Sequence, residues 1–252
     1  MFGSRRGRRY SLYRDHHRKG KSPLVVRLLF WLFVAYLCTT TFVVQSLRID
    51  STSMEPTFLP ADRVFASPLG FGARIPIIGV STPAFRDPDR GDLVVVESDL
   101  ADRPGFLART FDPLVRFVTG NTRGLESSGN PAWANRYVVR RVIGLPGDRV
   151  EVVNSVARIT PAGSTQPTSE TALAPRRYSL EIPDLPGPID QTAPFFGRME
   201  PVQLGPDQYF LMGDNRGSVL DSRHTGPVSR ARIVQRILFR YWPLRRFGVP
   251  SA

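Results

Sequence analysis

Tyr137-Val138-Val139-Arg140-Arg141-Val142-Ile143-Gly144-Leu145-Pro146-Gly147-Asp148-Arg149-Val150-Glu151-Val152-Val153 is the stretch that decides the fold. Two β-branched runs, Tyr137 to Ile143 and Val150 to Val153, flank a Gly-Leu-Pro-Gly-Asp segment. That composition makes a tight turn between two strands. Similar short runs recur at Arg63 to Ala66, Leu93 to Glu97, Tyr209 to Met212 and Ile233 to Tyr241, with Pro88-Asp89-Arg90-Gly91-Asp92 as the turn before Leu93. No long helical periodicity competes with them, so this part of the chain is expected to be all-β. Two stretches read as less regular. Leu100 to Ala134 is expected to form an extended loop or ribbon, and Asn154 to Gln208, with nine prolines, an irregular insert or small subdomain that decorates the surface rather than joining the core.

Charge divides the chain differently. Of the formal +12, residues 1 to 27 carry +8 (nine basic side chains against Asp15). The next twenty residues, Leu28 to Leu47, hold no charge. As a helix they would rise ~30 Å, the thickness of a bilayer core. The reading is a basic cytoplasmic tail (1–27) and a single transmembrane anchor (28–47). A periplasmic or extracytoplasmic domain (48–252) would follow on the far side of the inner, cytoplasmic membrane. A cleaved leader would have a shorter apolar region ending in a small-residue cleavage site, and Thr40-Thr41-Phe42-Val43 supplies none. The tail suits anionic lipid. With most of the positive charge before the span, and no aromatic-basic face after it, nucleic acid is not an expected partner.

Cys38, the only cysteine, lies inside the span, and His224 is the only histidine after it. Thiol catalysis on the outer face, a disulfide framework and a histidine-built metal site are therefore not expected, and no cofactor is implied.

Three strings remain. Ser51-Thr52-Ser53-Met54-Glu55-Pro56-Thr57 begins just past the span, Arg141-Val142-Ile143-Gly144-Leu145-Pro146-Gly147-Asp148 lies mid-chain, and Gly213-Asp214-Asn215-Arg216 leads to Asp221-Ser222-Arg223. Each alone is an ordinary turn. Their order and spacing after an N-terminal anchor resemble type I signal peptidase. Arg90-Gly91-Asp92-Leu93-Val94-Val95 and Tyr241-Trp242-Pro243-Leu244-Arg245-Arg246-Phe247-Gly248 extend the likeness, and Asn154 to Gln208 falls where that family varies. The match is poorest at Ala61-Asp62-Arg63-Val64, where the family usually begins with glycine.

The resemblance implies a signal-peptidase-like β-domain on one N-terminal helix, with Ser53 as nucleophile. The oxyanion would be held by the Ser53 N–H and the Ser51 hydroxyl, donors worth ~2.7–4 kcal/mol each. An exported peptide would add a strand beside Val138 to Arg140, with Met54, Phe58 and Val139 shaping shallow pockets for alanine-sized residues. Asp214, Asp221, Arg141 and Arg223 would form bracing ion pairs.

The base breaks the pattern. Counting back from the Gly-Leu-Pro-Gly-Asp turn places Arg140 at the family's general-base lysine, and no lysine follows Lys21. A buried lysine can lose its proton and accept one from serine, whereas a guanidinium stays charged and has no acceptor lone pair. The serine that orients the lysine is replaced by Val219, with Ser218 one place early. Arg140 is expected to pair with Asp214. His224 follows Arg223, but on a different segment from the base, and is expected to be structural or exposed. Two functions stay open: a membrane-anchored serine endopeptidase that removes signal peptides after Ala-x-Ala-type sites with weak activity, and an impaired pseudo-peptidase that binds exported segments without cutting them.

Overall fold

Leu93, Val94, Val95 and Val96 are all buried, which a strand achieves only when both faces of its sheet are covered. The computed structural model describes residues 24–39, 43–69, 71–72, 84, 86–98, 115, 137–182, 198–217 and 220–250. In chain order these form a helix α1 (Leu24–Cys38), β1 (Gln45–Arg48), β2 (Arg63–Ser67), β3 (Leu93–Glu97), β4 (Tyr137–Gly144), β5 (Arg149–Val153), β6 (Val156–Thr160), β7 (Thr168–Ser169), β8 (Met199–Gln203), β9 (Gln208–Met212), β10 (Val228–Ser229) and β11 (Ile233–Trp242). Short helical turns lie at Glu170–Leu173 and Ser222–Thr225.

The strands make two sheets, one of seven in the order β1-β2-β11-β3-β4-β9-β10 and one of four in the order β7-β6-β5-β8. Their pairings are antiparallel. Period-two alternation sorts the large sheet's side chains between clusters. Leu93 and Val95 join Ile49, Met54, Phe58, Val64, Ala66 and Ile237, while Val94 and Val96 join Phe71, Val142, Tyr209, Leu211 and Ile233. The protein is mostly β, and every strand expected from the sequence is present within a residue or two of its expected ends.

The insert differs from its expected form. Its described part holds β6, β7 and β8, and Ala157, Ile159, Tyr178 and Leu204 share a core with Ile143, Val150, Val152, Phe210 and Met212. Val156-Ala157-Arg158-Ile159 alternates as a half-buried strand does, and the prolines stand between such pieces. The expected loop from Leu100 to Ala134 lies outside the described residues, Val115 excepted.

The helix also departs from expectation. α1 starts at Leu24, includes Arg27 and spans 15 residues, about 22 Å. The Val44 N–H reaches the Thr39 carbonyl at 2.9 Å, and Gln45 to Leu47, expected in the span, pair instead with Val64 to Ala66. Strand partners from β2 satisfy those backbone groups, so helix no longer gains from continuing. No helix among the described residues is long and apolar enough to cross a membrane.

Ala61, where glycine was expected, has φ 72°, and its N–H donates to the Ile49 carbonyl at 2.7 Å. A left-handed alanine costs ~1–2 kcal/mol, only partly offset by the smaller unfolded-state entropy that alanine has relative to glycine. Ala61→Gly is therefore predicted to stabilise the fold by ~0.5–1 kcal/mol and to raise Tm by a few degrees. Calorimetry showing an unchanged or lower Tm would contradict this.

Candidate active site

Ser53 sits on the loop between β1 and β2, closed at its base by Ile49 N–H to the Asp62 carbonyl (2.9 Å) and Ala61 N–H to the Ile49 carbonyl. Inside, Glu55 N–H reaches the Thr52 carbonyl at 3.1 Å and Phe58 N–H the Met54 carbonyl at 2.8 Å. The fully buried Met54 and Phe58 side chains pin the loop to the core below. From the other side the Asn215 N–H holds the Ser53 carbonyl at 3.2 Å. A Cβ on Gly213 would lie 2.5 Å from that same oxygen, so only glycine permits the approach. Ser53 is consequently fixed and 6% exposed, with the Ser51 hydroxyl 2.9 Å from its own.

Arg140, on β4, points at it. Nη1 donates to Ser53 Oγ at 2.9 Å and to the Val139 carbonyl at 2.6 Å. Nη2 and Nε both donate to the Leu220 carbonyl, at 2.6 and 3.2 Å. Burial draws the Arg140 guanidinium below the usual arginine range, Asp221 opposes that, and Arg223 adds to it. The starting value of an arginine is so high that the group remains a cation and a pure donor at neutral pH.

The expected Arg140–Asp214 pair is not what forms. Arg141 takes Asp214 instead, with Nε at 2.8 Å and Nη2 at 2.6 Å, and Thr57 Oγ1 donates to the same carboxylate at 2.5 Å. Neighbouring strand residues point to opposite faces, so of Arg140 and Arg141 only the one on Asp214's side can reach it. Asp221 is gripped by Arg223, Nε at 2.9 Å and Nη2 at 2.8 Å, and also accepts the Arg223 and Gly213 N–H groups. Burial by itself raises the Asp221 carboxyl, but His224, with Nδ1 3.8 Å away, and the Arg223 fork outweigh it and hold the group well below the usual carboxylate range. Both carboxylates are thus matched by other arginines, and no ion pair among the described residues reaches Arg140.

The expected peptide-binding residues divide. Met54 and Phe58 are 0% exposed and pack in the core beneath the serine loop. Val138 and Val139 are half-buried on opposite faces of β4. β3 pairs with Tyr137 to Arg141, whereas β9 begins pairing at Arg141. Among the described residues, no strand pairs with Val138 to Arg140 on that second side. His224 has Asp221 as its ionic neighbour, and no hydrogen bond joins it to Ser53. Ser218 and Val219 lie outside the described residues.

With this geometry in view, the family model described as "Signal peptidase, peptidase S26" matches residues 24–242. The chain belongs to that family. A protein named probable signal peptidase I-2 from Synechocystis sp. is 28% identical over 209 residues, covering 83% of this chain and 68% of its own length. A signal peptidase I from Leptolyngbya laminosa is 28% identical over 232 residues, covering 91% and 85%. A solved signal peptidase I from Enterococcus faecalis V583 matches 59% of this chain and 94% of its own at 19% identity and a TM-score of 0.30, too loose to bear on the site. By family resemblance the chain is a serine-type endopeptidase of the signal peptidase I kind.

Within this S26 scaffold, several contributors escaped the sequence reading. Glu170, from the insert, is 1% exposed and accepts from Arg216 Nη2 (2.6 Å), the Tyr178 hydroxyl (2.7 Å) and the Ala157 N–H (2.8 Å). The Tyr178 ring lies 4.0 Å from the Arg141 guanidinium, a cation–π contact that links the insert to the Arg141–Asp214 pair. Burial and the Glu170 carboxylate push the Tyr178 phenol far above its usual range, so it stays a donor. One glutamate and one tyrosine in a proline-rich stretch carry no signal of such burial. The four-residue Glu170–Leu173 turn is too short to show a periodicity.

Removing Glu170 would leave Arg216 buried without a counter-charge. Glu170→Ala is predicted to cost ~3–5 kcal/mol, as buried pairs do when one partner is removed. Tyr178→Phe, which keeps the ring over Arg141, should cost only ~1.5–3 kcal/mol. Urea unfolding of both variants checks the order, and equal losses below 1 kcal/mol would show the cluster to be ordinary surface.

Proposed function

We propose that this chain is a membrane-anchored endopeptidase that removes N-terminal signal peptides from exported preproteins after small residues, using Ser53 as nucleophile. The observation that carries the reading is the meeting of Ser53, Ser51 and the stretch of β4 that no strand among the described residues pairs on its β9 side. Ser51 and Ser53 stand 2.9 Å apart, and a peptide added along Val138 to Arg140 would run past them. Among the described residues the Ser53 N–H has no acceptor, which suits an oxyanion donor.

Membrane residence is supported by the chain before and after the sheet. α1 exposes Leu24, Leu28, Leu29, Phe30 and Trp31, and a basic tail precedes it. At the end of β11 and just past it, Trp242, Leu244, Phe247 and Val249 are exposed beside Arg245 and Arg246. A hydrogen bond of 2.6 Å between Ser46 and Tyr241 brings the end of β11 next to the chain leaving the anchor. An apolar and cationic rim there suits a surface of anionic lipid. The N-terminus would then be cytoplasmic and the β-domain extracytoplasmic.

A second reading, a pseudo-peptidase that grips exported segments without cutting them, is favoured by one observation, the guanidinium that donates to Ser53 Oγ where a base should accept. The two separate on a preprotein with an Ala-x-Ala site, incubated with the full chain in detergent. Slow cleavage that vanishes in Ser53→Ala is expected, together with a gain of ~10²–10⁴ in Arg140→Lys combined with Val219→Ser. A parent that binds the preprotein but never cuts it, while the double variant does, supports the binding reading. Cleavage that survives Ser53→Ala contradicts the serine mechanism.

A further inference from the structure

We propose that Arg140 activates the Ser53 nucleophile by electrostatic stabilisation: its Nη1 stabilises the serine alkoxide, and the proton is taken by hydroxide from solvent. This rests on the peptidase reading for its substrate and on the geometry for its chemistry. Arginine has only donors, so the 2.9 Å contact fixes Ser53 Oγ as acceptor. The serine proton points away from Arg140, and Ser51 Oγ, the more exposed hydroxyl of the pair, lies within hydrogen-bond distance at 2.9 Å, where in this mechanism it receives that proton's hydrogen bond.

Charge around the serine supports an anion there. From β4, Arg141 is neutralised by Asp214, and from the segment after β9, Asp221 is neutralised by Arg223, with His224 beside it on the following helical turn. Arg140 is the charged group that touches Ser53, and both are buried. A charge-assisted hydrogen bond in a water-poor site favours the charged form of its acceptor. Three bonds to the Leu220 and Val139 carbonyls hold the guanidinium in place beforehand, so little reorganises as charge develops.

The reaction balances without a protein base. Hydroxide takes the Ser53 proton past Ser51 and becomes water. The alkoxide bonds to the substrate carbonyl carbon, and the C–N bond breaks as the amine takes a proton from water, which returns hydroxide. A second hydroxide attacks the acyl ester, the C–Oγ bond breaks, and the departing alkoxide, again held by Arg140, is reprotonated as the carboxylic acid gives up its proton.

The test uses the full chain in detergent and a depsipeptide with an ester at the Ala-x-Ala scissile position, which removes the need to protonate an amine. Ester cleavage is followed from pH 6 to 10, with the Ser53→Ala rate subtracted. The expected profile rises tenfold per pH unit without a plateau, and Arg140→Met keeps the slope with rates lowered ~10²-fold or more. A plateau below pH 9 would reveal a titrating protein base and overturn the proposal, and so would Arg140→Met reacting as fast as the parent. The parent profile decides even if that variant fails to fold. Absence of any Ser53-dependent ester cleavage also overturns it. A unit-slope profile on the ester with no cleavage of a preprotein sustains the alkoxide mechanism and instead sinks the signal-peptidase reading.

Discussion

A single hydrogen bond with only one possible direction organises the chemistry of this site. Lysine and arginine both place nitrogen next to a serine hydroxyl, but burial can strip a lysine of its proton and leave a lone pair, whereas a guanidinium delocalises its charge and keeps all of its hydrogens. Arg140 therefore meets Ser53 as a donor, and every other bond it makes runs to a carbonyl oxygen that fixes it in that role. The surroundings that would lower the affinity of a lysine for its proton, burial first among them, act on Arg140 in the same direction without reaching a neutral form. The same pocket thus changes its function from removing a proton to holding an anion.

The rest of the fold keeps that bond isolated. Among the described residues, Asp214 is paired with Arg141 and Asp221 with Arg223, so neither carboxylate forms an ion pair with Arg140, although Asp221 still acts on it at longer range. Those pairs are themselves held. Thr57 from the serine loop and the Tyr178 ring from the insert both contact Arg141, and the Glu181 N–H reaches the Asp214 carbonyl oxygen at 3.1 Å. The insert is thus part of the scaffold that places residues 213–216 against Ser53.

β-branched and apolar runs bounded by turn residues made most of the large sheet legible in the sequence, because β3, β4 and β9 bury continuous runs and only β11 alternates. β1 was hidden inside an apolar run, since hydropathy cannot tell the end of a helix from a strand that happens to find a partner in β2. Ser51 and Ser53 of the serine motif and Arg140, placed by its distance from the Gly-Leu-Pro-Gly-Asp turn, lie together in space. The motifs could not tell which arginine Asp214 would take, because that depends on which face of β4 each side chain leaves. Met54 and Phe58, expected from the resemblance to shape pockets, also anchor the serine loop in the core, a role their position next to a tight turn did not by itself reveal. The Glu170–Arg216–Tyr178 cluster joins residues 46 and 8 positions apart, and separations of that kind leave no local pattern.

The central claim is that Arg140 stays a cation hydrogen-bonded to Ser53 throughout the range in which the protein is folded. The side-chain 13Cζ and 15N resonances of Arg140, assigned by comparison with Arg140→Met and followed from pH 6 to 10, measure this directly. The account predicts guanidinium shifts that do not move with pH, together with an Arg140 Nη resonance that changes in Ser53→Ala. A titration of those resonances with a midpoint below pH 9 would show a neutral guanidine able to accept the serine proton, and would contradict it.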